Sequence, residues 1–295
     1  MHPAPSVIIF SSLSGAGFGL LFFLGLGMPA PSGWVAFVFY VIAYALAVGG
    51  LLSAFFHLAN PKNAVKSYSQ WRTSWLSREA WAAVAALVVM GLYAFGQVFL
   101  GTTWTALGWL GAALSIGTVF TTSMIYAQLK TIPRWNQLPA TPLMFLSCSL
   151  AGGALLSGNV TLAVVLLLVA GGVTLWHWSA GDTRFAEAGS TLNTATGLKG
   201  KMGLWEKPHT GENYLTREMV YQVARKHAVK LRVIAIALMS LLPALLILVL
   251  PTHIGAVLAV ISHIAGILTQ RWLFFAEAEH VVGLYYGAHL GKAAA

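Results

Sequence analysis

Residues 7–28 read VIIFSSLSGAGFGLLFFLGLGM, 22 positions without one charged side chain. A helix crosses the hydrocarbon core of a bilayer with about 20 mostly apolar residues, so this stretch is long enough to span. Seven more runs share its character: Trp34–His57, Ala80–Leu100, Leu107–Leu129, Pro142–Ser157, Leu162–Ser179, Val233–Leu250 and Ile254–Phe275. The fifth and sixth are short and meet at Gly158-Asn159, so a single broken hairpin is an alternative there. Composition points the same way. Of 295 residues, 58% are hydrophobic and 8% charged, against about 25% charged in an average soluble domain. So few charges cannot cover a water-facing surface of this size. The expectation is an all-α integral membrane bundle of about eight transmembrane helices, one membrane-anchor domain over residues 1–295.

The connections are of two kinds. Pro29–Gly33, Gly101–Ala106, Gly158–Thr161 and Pro251–His253 are short and carry no Lys or Arg. The alternate ones carry Lys62, Lys66, Arg72 and Arg78, then Lys130 and Arg134, then nine basic residues from Arg184 to Arg232. Cytoplasmic loops hold the Lys/Arg excess, so both termini and all long loops are expected on the cytoplasmic side of a bacterial inner membrane. Met1–Ser6 lacks the basic region of a cleavable signal peptide. The net charge of +9 is explained by this topology. Nucleic acid is excluded as a partner, because the charges are dispersed and not interleaved with exposed aromatics.

Cys148 is the only cysteine, which excludes an internal disulfide and any cysteine-held cluster or zinc site in this chain. Gly15 and Gly19, in GxxxG spacing, and Ala151, Gly152 and Gly153 suit close helix packing in lipid. The long segment 182–232 mixes both charge signs, with a helix expected from about Thr216, and reads as a docking surface for another protein. Glu206, His209 and Glu212 within it fall short of a metal motif.

The informative polar residues gather at one membrane edge. His57 closes an apolar run, and imidazole exchanges a proton near neutral pH, a service that a quinone carbonyl needs. Ser77 reads as an N-cap and Glu79 as an acid favouring the positive end of the helix dipole, or as a proton relay. Arg72, Trp71 and Tyr126 lie at a similar depth. Trp71, Trp75, Trp135 and Trp178 resemble an interfacial belt. Arg271 is expected to snorkel to the interface. His57 and His177, both near the same edge, could be axial ligands of a b-type haem if they face each other. His263 lies nearer the middle.

Three blocks carry a family resemblance: LLSAFFHLANPKNAVKSYSQWRTSWLSREA (51–80), MIYAQLKTIPRW (124–135) and PHTGENYLTREMVYQVARKHA (208–228). The chain resembles the DmsC family, membrane anchors of molybdenum oxidoreductases, over nearly its whole length. The resemblance implies a quinone site (ubiquinone or menaquinone) in which His57 and Glu79 match the family's histidine and acidic residue. It also implies partner subunits that carry the molybdopterin and the iron–sulfur clusters. His57-Leu58-Ala59-Asn60-Pro61 departs from the family's more usual His-Leu-Gly-Ser-Pro. Typical dimethyl sulfoxide reductases dock those partners in the periplasm, whereas the basic His57 loop here is expected in the cytoplasm. That is similar to the sulfite-oxidising SoeABC type, and implies a quinone-linked sulfite dehydrogenase subunit without a molybdenum site of its own. A quinol-oxidising anchor of a dimethyl sulfoxide-type reductase is the alternative. A small-molecule transporter and a purely structural anchor are alternatives of other classes. A transporter would gather its ionisable groups near the midplane, where this sequence offers only His263.

Overall fold

The computed structural model describes residues 1–287 except 59, 201, 207–208 and 221–226, with residue 61 described by its backbone alone. Ala59, Lys201, Lys207, Pro208, Arg225, Lys226 and Lys292 therefore lie outside the described residues, as does the middle of the helix expected from Thr216. Among the described residues, eight helices are long and apolar enough to cross a membrane. They are α1 (Pro5–Gly25), α2 (Gly33–His57), α3 (Trp75–Leu100), α4 (Thr105–Ala127), α5 (Ala140–Ser157), α6 (Val160–Glu187), α7 (Ala228–Val249) and α8 (His253–Ala276). Lipid offers backbone groups no hydrogen bonds, so each span must satisfy its own, and helices do so.

The fifth and sixth spans are separate helices. Gly158 turns the chain at φ +79°, and the Asn159 side chain caps α6 by accepting a hydrogen bond from Leu162 N at 3.1 Å. Three spans run longer than their hydropathy suggests, and α3 begins at Trp75 rather than Ala80. α6 continues past Ser179 to Glu187, and α7 begins at Ala228, so the connection between them is 188–227 rather than 182–232.

The bundle is organised around α1 and α5, whose most apolar windows are 72% and 78% buried, against 28% for α2. α1 packs against α2, α4, α5 and α8, and α5 against α1, α4, α6 and α8. Glycine permits this. A Cβ on Gly19 would stand 1.9 Å from the Ser149 carbonyl oxygen, and one on Gly153 would stand 2.2 Å from the Gly19 carbonyl carbon. Without side chains, the two backbones approach directly.

Pro243 shapes α7. It has no N–H to give the preceding turn, and residues Ala237–Leu241 widen into a π turn. The carbonyls of Leu238 and Met239 are met from α8 instead, by Ser262 Oγ at 2.9 Å and His263 Nδ1 at 2.6 Å. His263 thus has a structural task.

The termini share one end of the bundle. The Met1 amine donates to the Ala278 carbonyl at 2.8 Å, and His2 N donates to Glu218 O at 2.8 Å. Residues 281–286 close over this end: Val281 N reaches Thr131 O, and Tyr285 Oη reaches Ala195 O at 2.5 Å. The described parts of the basic loops lie here, and the short connections lie at the opposite end.

Candidate functional site

α2 tightens into a 3-10 turn over Ala54–His57, which leaves the His57 imidazole exposed and without a hydrogen bond to any described residue. This turn packs on a second 3-10 segment, Pro61–Tyr68, which packs in turn on α3. Arg78 holds the end of the loop. Its Nε donates to Trp71 O at 3.0 Å and its Nη2 to Arg72 O at 2.7 Å, while its guanidinium lies over Trp75 at 4.3 Å. Trp81 Nε1 donates to Tyr68 O at 3.0 Å. Trp71 and Arg72 remain exposed, with the Arg72 guanidinium 5.4 Å from the indole centre.

Two readings of this loop change. Ser77 is not the cap, because α3 starts at Trp75 after Ser74. Ser77 Oγ instead donates to the Ser67 carbonyl, tying the loop to the helix. Glu79 does not lie in the first turn of its helix. It sits in the second turn, is 4% exposed, and accepts a hydrogen bond from Thr122 Oγ1 on α4.

Beyond Thr122 the polar groups continue inward. Tyr126, one turn further along α4, is buried within electrostatic reach of both Glu79 and Arg271. Its ring packs among Trp135, Phe145, Phe274 and Phe275, at 5.2–5.7 Å between centres. Trp135 and Trp178 are each 3% exposed, so neither belongs to an interfacial belt; Trp135 Nε1 donates to Phe274 O at 2.8 Å. Arg271 does not snorkel. It is 1% exposed, lies 3.7 Å over the Phe145 ring, and donates to Gln270 Oε1 at 3.1 Å. In lipid this is a marked choice, since an arginine near a helix end can ordinarily reach the interface. The inward turn of Arg271 and the Thr122 partner of Glu79 are the features that sequence reasoning missed.

His177 is enclosed in α6 beside Phe274, with neither ring nitrogen hydrogen-bonded. It does not meet His57. α2 packs on α1 and α3, whereas α6 packs on α5 and α7, which leaves the α1–α5 pair between the two histidines. An axial pair needs facing helices, and this geometry does not supply them. Among the described residues, no group of three or more His, Cys, Asp or Glu could hold a metal ion.

Arg134 and Arg232, which topology alone would explain, form a network instead. Arg134 and Arg232 both reach Asp182, at 2.6 and 2.7 Å, and Arg232 reaches Glu277 at 2.8 Å. This joins the 128–139 turn to α6, α7 and the end of α8.

The sequence of this helical bundle matches one family over nearly its whole length. The sequence model described as "DMSO reductase anchor subunit (DmsC)" matches residues 1–287. The chain belongs to the DmsC family. Like other DmsC-type subunits it is a membrane anchor, and the eight apolar helices make it a multi-pass one. It is similar to a sulfite dehydrogenase subunit of Allochromatium vinosum, 33% identical over 329 aligned positions that cover 97% of this chain and 99% of the relative. No solved structure matches this DmsC-family chain.

Proposed function

We propose that this chain exchanges electrons between a cytoplasmic iron–sulfur partner and membrane quinone, as the anchor of a sulfite-oxidising molybdenum enzyme. Sidedness follows from the basic loops, and the sulfite reading from the relative's name. The iron–sulfur clusters must belong to a partner, since Cys148 is alone and buried. That partner docks on the described part of the 188–227 connection, where Ala195 meets Tyr285 and Asn213 meets Tyr286.

The observation that carries the quinone reading is an exposed imidazole and a buried carboxylate at the two ends of one basic loop. Bound quinone supplies a two-electron, two-proton couple at its ring carbonyls. His57 would offer a quinone carbonyl oxygen at the membrane edge a hydrogen bond and a proton, and the exposed Trp71 and Arg72 would border the headgroup. Glu79 holds a proton beneath the loop, with Thr122 fixing the orientation of its carboxyl group. Tyr126 is too deeply enclosed to touch a headgroup at the surface, and lies within electrostatic reach of Glu79.

Binding of a quinone-analogue inhibitor to membranes containing the assembled complex tests this. His57→Gln is expected to weaken binding at least tenfold, while Trp104→Phe, on the opposite side, leaves it unchanged. Undiminished binding by His57→Gln would remove the site from this loop.

A further inference from the structure

A small cavity lies between α1, α5 and α8, lined by Ser12, Cys148, Ser149, His263 and Arg271 among others. Its volume is about 20 Å³. One water needs about 10–15 Å³ of such space, so the cavity admits a monatomic guest and excludes a quinone ring. Two of its polar groups are buried and have no hydrogen-bond partner, Arg271 Nε and Ser12 Oγ. They come from different helices and line the same space.

The wall is rich in donors. Guanidinium Nε–H can only donate, and serine hydroxyls and a thiol can each donate as well. His263 adds no carboxylate character, and its Nδ1 is engaged with the Met239 carbonyl at 2.6 Å. The charge is also unbalanced. None of the ion pairs among the described residues includes Arg271, and of the ionisable groups in electrostatic reach of it, Cys148, Tyr126 and His177, none is ordinarily anionic. A buried charge without a partner is costly in a low-dielectric interior. The Phe145 face and Gln270 Oε1 offset part of that cost and leave Nε unmet.

We infer that this cavity is a site for a small monovalent anion, with chloride as the matching size and charge, held by Arg271 Nε and Ser12 Oγ. Bound there, the anion neutralises Arg271 and joins α1 to α8 across α5. The inference is independent of the quinone reading, and its test uses no quinone.

The full chain in lipid nanodiscs is unfolded by heat in chloride and in gluconate at equal ionic strength. The expected result is a saturable rise of the midpoint with chloride, which bromide reproduces. Ser12→Ala should weaken the apparent chloride affinity severalfold, and Arg271→Gln should abolish the response. Should Arg271→Gln fail to fold, Ser12→Ala decides alone. Equal midpoints in the two salts would overturn the assignment, as would a chloride response undiminished by Ser12→Ala.

Discussion

In the α1–α5 pair, backbone meets backbone: Gly19 and Gly153 leave no room for a methyl group, and about three-quarters of each apolar window is hidden. Around the His57 loop nothing is so confined. Arg78 grips two carbonyls, Ser77 a third, and Trp71 and Arg72 lie open. The inner pair is specified by shape, because apolar side chains gain little by leaving lipid for protein and only close packing distinguishes the two. The rim is specified by hydrogen bonds and charge, because water competes there and a loop needs named partners to stay in place. The two candidate residues differ in the same way: Glu79 is buried and bonded to Thr122, while His57 is exposed.

Steric specification makes the inner pair the most fragile. Gly19→Leu is expected to abolish recovery of monodisperse protein, because its side chain has no place between the α1 and α5 backbones. Gly172→Leu adds the same bulk where nothing lies within 4 Å, and should change stability by no more than about 0.5 kcal/mol. Size-exclusion profiles and thermal midpoints of the two variants would show the contrast, and equal behaviour would dissolve it.

At the rim, losses should be graded. Arg232→Ala leaves Glu277, whose side chain is 8% exposed, and Asp182 with Arg134 as their remaining partner. A hydrogen bond to a charged group contributes about 1.5–3 kcal/mol. Screening at the half-exposed Asp182 reduces this, so a destabilisation of about 1–2 kcal/mol is expected from thermal unfolding. A loss as severe as that of Gly19→Leu would place this network in the same class as the core.

The smallest effect concerns His280, beyond the end of α8. Burial, then the positive charge of the N-terminal amine, holds its imidazole below the usual range, and its Nδ1 accepts from Val282 N at 3.0 Å. The unfolded chain therefore binds the proton more readily. The contribution to stability is complete above the ordinary histidine value of about 6.5 and declines as pH falls below it. Amide exchange in residues 281–287 should quicken on acidification, and His280→Asn should flatten that response.

The eight spans were readable because length and hydropathy alone decide whether a segment can cross lipid. Sidedness within each span was not. In water, a buried face is apolar and the outer face polar, which gives a helix its periodic signal. In lipid both faces are apolar, and the signal vanishes. Hence Trp135 and Trp178, read as interfacial, turn inward, and Arg271 turns inward to Phe145 and Gln270. Glu79 was recognised as a residue of interest, but its partner Thr122 lies 43 positions away on another helix. Even so, the run Thr121-Thr122-Ser123 in α4 was a visible cue, since hydroxyls in a span often face other helices. The extra turns of α6 and α7 went unread because Asp182, Arg184 and Arg232 lower the local hydropathy, although the ion-pair network absorbs Asp182 and Arg232.

The contrast between an accessible imidazole and an enclosed carboxylate is tested most directly by sulfite-dependent quinone reduction in membranes containing the assembled complex. The account predicts that His57→Gln and Glu79→Gln each lower turnover by about 10²-fold or more, with partner subunits still bound and reducible by sulfite. Turnover within twofold of wild type for both variants, in complexes assembled normally, would contradict it.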